Sequence, residues 1–253
     1  MDYILGAAEV QIARNNYAEA ADLLSEKMAA LPHSVSLKVA TADVMLRLGK
    51  SEKAIELYEQ ALLLTDDNVD IAESLAYCYV FSGKWSEAAG IFNKLMEQCK
   101  DEQKRKAYLQ VTALCSMNGG DYGRAAEYYS ELNVKERNNI DIWVGMGRAA
   151  LGAGIPRRAL MCAERALNMR PGYPDAIVLL GCAQYADGDY DGAITSFERL
   201  TIDRKNAGFS WLMMARCYEQ LGQMDRAEKA YNKALDASPD SELGKFLASR
   251  KDI

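Results

Sequence analysis

Apolar positions along the chain recur at helical spacing, in runs of about fourteen residues that a single glycine or asparagine interrupts. Between residues 69 and 102, for example, Ala72, Leu75, Ala76 and Tyr79 mark one face before Gly83, and Ala88, Phe92 and Leu95 mark another after it. The pattern predicts two amphipathic helices joined by a tight turn. Polar and charged residues fill the remaining positions, so each helix has one face to bury.

The same arrangement returns at a fixed interval. Alanine occupies positions 20, 54 and 88, then 125, 159, 193 and 227; the step is 34 residues except for one of 37. A second column is small throughout: Ala8, Ala42, Ala76, Ala113, Gly147, Gly181 and Ala215. A third is Gly49, Gly83, Gly120, Gly154, Gly188 and Gly222, with Asn15 in the first copy. Seven repeats follow, at 1–34, 35–68, 69–102, 106–139, 140–173, 174–207 and 208–241. Glycine supplies the left-handed conformation that ends the first helix of each pair, and the small columns mark where paired helices cross closely. Ser86, Asp191 and Asp225 stand where the second helices need N-caps, and Pro32, Pro171 and Pro239 end second helices.

Two stretches break the rhythm. Gln103, Lys104 and Arg105 are inserted between the third and fourth repeats, which predicts a longer second helix or a surface loop, or alternatively a change of pitch that divides the array into three and four repeats. After the seventh repeat, Leu243, Phe246 and Leu247 form one apolar stripe, which predicts a capping helix over 242–253 or the start of a truncated eighth repeat.

With these columns in view, the chain resembles the tetratricopeptide repeat (TPR) family of 34-residue helix pairs, over residues 1–241. The resemblance implies an all-α, right-handed superhelical solenoid whose first helices line a concave groove that holds a peptide or helix of a partner. In the family, groove-facing residues are the second, fifth, ninth, twelfth and thirteenth of each repeat. Here that set gives an acidic entrance, with Asp2, Glu9, Asp43, Asp70 and Glu73 against Arg47. A middle patch of Tyr77, Val80, Phe81, Leu114 and Met117 follows, then Arg148, Tyr185 and Arg216 among Asp141, Asp175 and Glu219. The partner-binding candidates are therefore Glu73, Tyr77, Phe81, Leu114, Met117, Arg148, Tyr185 and Arg216.

Charge and candidate chemistry narrow the function without naming it. The net charge of -6 gives no broad attraction to phosphate backbones, which argues against a nucleic-acid partner. No apolar run reaches the eighteen residues of a membrane span, and the first residues lack the pattern of a signal peptide, so the chain reads as cytoplasmic, with a removed leader or anchor also compatible. Cys78, Cys115 and Cys217 share the tenth repeat position with Val10, Val44, Ala149 and Ala183, as small buried residues do, and no Cys-x-x-Cys occurs. One histidine, His33, offers no base for a nucleophile and no metal cluster. The expectation is a non-catalytic scaffold or adaptor with no cofactor or metal. Alternatives are a self-associating structural module, or the interaction domain of a larger protein or enzyme.

Overall fold

The computed structural model describes residues 2–66, 68–202 and 207–237, with side chains from Gly6 onward. The expected helix over 242–253 and Pro239 lie outside the described residues. All regular structure among the described residues is α-helical, in two compact units that divide between Asp121 and Tyr122. The first contains α1 (Asp2–Ala13), α2 (Tyr17–Ala30), α3 (Val35–Arg47), α4 (Ser51–Leu63), α5 (Val69–Phe81), α6 (Trp85–Gln98) and α7 (Glu102–Asn118). The second contains α8 (Tyr122–Lys135), α9 (Ile140–Gly152), α10 (Pro156–Met169), α11 (Pro174–Asp187), α12 (Tyr190–Glu198), α13 (Ala207–Gln220) and α14 (Met224–Ala237). Within each unit every helix packs on its neighbours in the chain, and α9 also touches α11.

The turns explain why the glycine column exists. At the first of them Lys50 N–H donates to the Met45 carbonyl and Gly49 N–H to Leu46, each at 2.9 Å, with Gly49 at φ +71°. This nested pair is the Schellman arrangement, which satisfies helix-end carbonyls only if the intervening residue is left-handed. Asn15, the non-glycine member of the column, adopts φ +62° and closes the same pair of bonds through Asn16 and its own N–H.

Helix starts differ from expectation. Ser86, Asp191 and Asp225 lie inside the first turns of α6, α12 and α14 and are not their caps. The Schellman turn launches the next helix directly, so α6 starts after Lys84 with no side-chain cap, whereas α12 is capped by Asp189, which accepts from Gly192 N–H at 3.0 Å. Side-chain caps serve mainly the first helices: Ser34, Asn68, Asp101 and Asn139 accept from the N–H groups opening α3, α5, α7 and α9. Those starts follow open connections, where exposed N–H groups need an acceptor.

The three-residue insertion makes neither a longer second helix nor a loop. It lengthens the first helix that follows: Asp101 Oδ1 accepts from Gln103 and Lys104 N–H at 2.8 and 3.0 Å, and α7 runs from Glu102 for 17 residues. The division into units falls after this helix, not at the insertion.

Both alanine columns are buried, and the glycines that replace alanine in the second are packed under large side chains. A Cβ on Gly181 would stand 2.7 Å from the ring of Phe197, which is fully buried, whereas one on Gly90 in α6 would meet nothing within 4 Å. Alanine gains roughly 1 kcal/mol over glycine in a helix, and overpacking costs about 1–3 kcal/mol. Gly90→Ala is expected to raise stability by about 0.5–1 kcal/mol and Gly181→Ala to lower it by about 1 kcal/mol; denaturant midpoints read the opposite signs directly.

Candidate partner-binding face

In the Met1–Asp121 unit, the end of α1, one face of α3, the first residue of α4 and the end of α5 surround a cavity of about 860 Å³. Ile12, Ala40, Val44, Leu46 and Phe81 supply apolar wall, and Asp43, Arg47 and Ser51 supply polar atoms. Phe81 is the notable wall residue because 76% of it is exposed at the end of α5. Asp43 and Arg47 stand one turn apart on α3 and are both exposed. The Asp43 carboxylate accepts the Tyr58 hydroxyl, and burial together with that carboxylate pushes the Tyr58 pKa well above its usual value. The Arg47 guanidinium lies 5.8 Å from the centre of the Tyr17 ring, with no carboxylate partner among the described residues. The site thus offers an apolar recess beside one guanidinium and one carboxylate.

Of the candidates read from sequence, Phe81 lies in this cavity, but its companions are Asp43 and Arg47; neither Leu114 nor Met117 lines it. Leu114 is exposed and Met117 half-buried, one turn apart on α7. Tyr77 remains partly exposed and sets its ring edge-on against Phe92 at 5.1 Å.

Glu73, of the acidic entrance, is engaged within the chain. Its Oε2 accepts the Tyr108 hydroxyl at 3.0 Å and pairs with Lys104 Nζ at 2.9 Å, so the carboxylate clasps α5 to α7. The inserted turn causes this, because it places Lys104 four residues before Tyr108 on one face of α7.

In the Tyr122–Ile253 unit, Arg148 Nη2 meets Asp175 Oδ1 at 3.3 Å, Tyr185 packs edge-on against Tyr190 at 5.5 Å, and Arg216 is exposed on α13. The charges of the two units differ. Met1–Asp121 holds 12 Lys and Arg against 18 Asp and Glu, and Tyr122–Ile253 holds 18 of each, so the whole net charge of -6 belongs to the first unit.

Sequence reasoning missed Ile12, Ala40, Val44, Leu46 and Ser51 as cavity lining. Only Ile12 and Leu46 occupy a groove position of the family, the twelfth, and the convergence of α1 with α3 could not be read from either helix alone. Val10 also departs from its column. Its counterparts Val44, Cys78, Cys115, Ala149, Ala183 and Cys217 are buried, while Val10 on α1 is 48% exposed. Val44 and Cys217, for instance, pack with residues of α2 and α12, the helices that precede theirs.

Cys78, Cys115, Cys182 and Cys217 are poor nucleophiles. Burial pushes the Cys78 thiol up to about 12, with Asp43 adding to the effect, and burial pushes Cys115, Cys182 and Cys217 up to about 11. Folding therefore favours the protonated thiol, and this stability is complete below the unfolded value of 9.0 and is lost as pH rises through the folded values. The melting temperature is expected to fall between pH 9 and about 11–12, and the Cys78→Ala/Cys115→Ala/Cys217→Ala variant to fall less steeply over the same interval. Alanine already occupies the equivalent positions 149 and 183, so the variant is packed by the array's own precedent. Parallel melting curves for both proteins would show that the thiols carry none of the loss.

Comparison with known proteins agrees with the helix-pair geometry. Residues 45–110 match a tetratricopeptide repeat model, and residues 116–237 match the Cilia and flagella-associated protein 70 middle TPR-like domain. The chain is 26% identical over 256 residues to the Cellulose synthase operon protein C of Xanthomonas axonopodis pv. citri, covering 96% of this chain and 17% of that protein. It is 24% identical over 171 residues to the BBSome complex member BBS4 of Bos taurus, covering 68% of this chain and 32% of that one. The chain thus spans less than a third of each of these relatives. Among solved structures, a tetratricopeptide repeat protein from Parabacteroides merdae superposes with a TM-score of 0.68 at 15% identity, covering 96% of this chain and 95% of that one. No described helix is long and apolar enough to cross a membrane. Turn geometry, buried small columns, family matches and structural likeness agree: the chain belongs to the tetratricopeptide repeat family.

Proposed function

We propose that this chain is a non-catalytic adaptor that holds a peptide or helix of a partner protein at the α1–α3–α5 cavity. Proteins of this family generally mediate protein–protein interactions, which supports the class of function. The observation that carries the particular site is Phe81, a large aromatic left 76% exposed on the wall of an 860 Å³ cavity beside Arg47 and Asp43. Aromatic and arginine side chains at a recessed position are what partner-binding hot spots are made of. The acidic balance of the first unit favours a partner segment with basic residues flanking its apolar anchor, through charge complementarity.

Leu114 and Met117 on α7 extend this reading as secondary contacts, and in the second unit, taken by itself, Tyr185 and Arg216 are offered as contacts for a partner. Arg148 contributes only if a partner displaces Asp175. Six free cysteines suit a reducing compartment, and the proposal places the adaptor in the cytoplasm.

The test is capture from native extract on wild-type and Phe81→Ala proteins in parallel. A protein retained by wild type and lost from the variant, at equal melting temperature, is the expected outcome; an identical set of captured proteins sinks the site.

A further inference from the structure

We propose a second docking surface, on the edge of the Tyr122–Ile253 unit where the α8–α9 and α10–α11 connections adjoin, and that it takes an acidic segment of a partner protein. The two connections are tied together: Asp141 accepts the Tyr173 hydroxyl, and between them opens a cavity of about 670 Å³ lined by residues 135–141, Arg170 and Tyr173. Trp143 Nε1 donates to the Arg137 carbonyl at 3.1 Å, which fixes the first connection against α9.

Two guanidinium groups line this cavity, and two others reach residues next to it in the chain or bonded to it. Arg137 and Arg170 line the cavity and are exposed, and Arg170 stands 5.5 Å from the centre of the Tyr173 ring. Arg165 stands 5.9 Å from the Trp143 ring, and Arg199 Nη2 donates to the Pro171 carbonyl at 2.7 Å. None of the four forms an ion pair among the described residues. The nearby carboxylates are occupied, Asp141 by Tyr173, Glu136 by Asn139 Nδ2 at 2.8 Å and Asp175, whose charge also reaches Tyr173, by Arg148 at 3.3 Å.

This arrangement selects among anions. An arginine fork matches a carboxylate with two parallel hydrogen bonds, and an aromatic ring behind the guanidinium limits the motion lost on binding. Asp141 and Glu136 at the cavity disfavour the dense charge of a continuous phosphate backbone more than carboxylates spaced along a peptide. The unit's balanced charge likewise gives no long-range pull on nucleic acid. The surface lies on other residues than the α1–α3–α5 cavity and stands or falls independently of it.

The test titrates a labelled peptide of alternating glutamate and serine against the whole chain, read by fluorescence anisotropy. Wild type is expected to bind saturably and more weakly as salt rises, with Arg137→Gln/Arg170→Gln weakening binding by roughly tenfold or more. Lys53→Gln/Lys94→Gln removes the same charge from exposed positions of the first unit and is expected to change binding by less than about twofold. Absence of binding to wild type, or equal loss in both variants, overturns the proposal. Tighter binding of an oligothymidine probe than of the peptide overturns it in favour of nucleic acid. Self-association of wild type at low salt that Arg137→Gln/Arg170→Gln abolishes overturns it in favour of a second copy of this chain.

Discussion

Phe92→Ala is expected to cost about 3–5 kcal/mol, the range for deleting a buried aromatic side chain. Phe92 on α6 is fully buried, with the Tyr77 ring edge-on at 5.1 Å and the Tyr108 ring at 5.9 Å, so it joins α5, α6 and α7. Alanine would leave a void between two tyrosines whose own positions depend on it. Tyr108 also carries the hydroxyl bond to Glu73, so the loss reaches the α5–α7 clasp. Domains are stable by about 5–15 kcal/mol, and in a repeat array that stability is held locally, between neighbouring pairs. The result expected is therefore regional. Denaturation by urea gains an early phase, and hydrogen exchange accelerates in α5, α6 and α7 while α9 to α11 keep their protection. A single, uniformly shifted transition would show that the array unfolds as one unit and that the local account is wrong.

Much of this fold is visible in the sequence because its rules are backbone rules. A left-handed residue must end each first helix, so Gly49, Gly83, Gly120, Gly154, Gly188 and Gly222 announce the turns, and Asn15 does so as the next most tolerant residue. Close helix crossings require small side chains, so the alanine columns announce the pairs. Helix starts were less legible. Ser86 and Asp191 are good capping residues in the first turn, and only the Schellman geometry shows that the helix has begun before them. The inserted Gln103, Lys104 and Arg105 are as compatible with a charged loop as with a helix; the deciding contact, Asp101 on their N–H groups, is local but not unique to either reading.

The candidate site was legible only in part, and for a different reason. Exposure of Phe81 follows from its place in the repeat, which sequence supplies. That Glu73 is consumed by Lys104 and Tyr108 depends on two helices meeting at a given phase, and the extra turn of α7 sets that phase. The cavity around Phe81 likewise arises from side chains of α1, α3 and α5 together, none of which points to the others in sequence.

Phe81→Ala carries the second large expectation, this time in binding. Burying an aromatic side chain that is 76% exposed in the free protein contributes about 1.5–3 kcal/mol to a complex, and a hot-spot residue costs about 2 kcal/mol or more on truncation. Affinity is then expected to fall by roughly 10- to 100-fold, since each 1.4 kcal/mol is about tenfold. Stability should hardly change, because little of the side chain is packed in the free chain. Arg47→Ala should act in the same direction through loss of its guanidinium. Leu63→Ala provides the contrast: it removes a side chain that is 86% exposed on α4, outside the cavity, and should leave binding intact.

Calorimetric titration of the captured partner into wild type, Phe81→Ala and Leu63→Ala tests the central claim most directly. The account predicts a loss of roughly 10- to 100-fold for Phe81→Ala with Leu63→Ala equal to wild type. Equal affinities for wild type and Phe81→Ala, or a larger loss in Leu63→Ala, would contradict it.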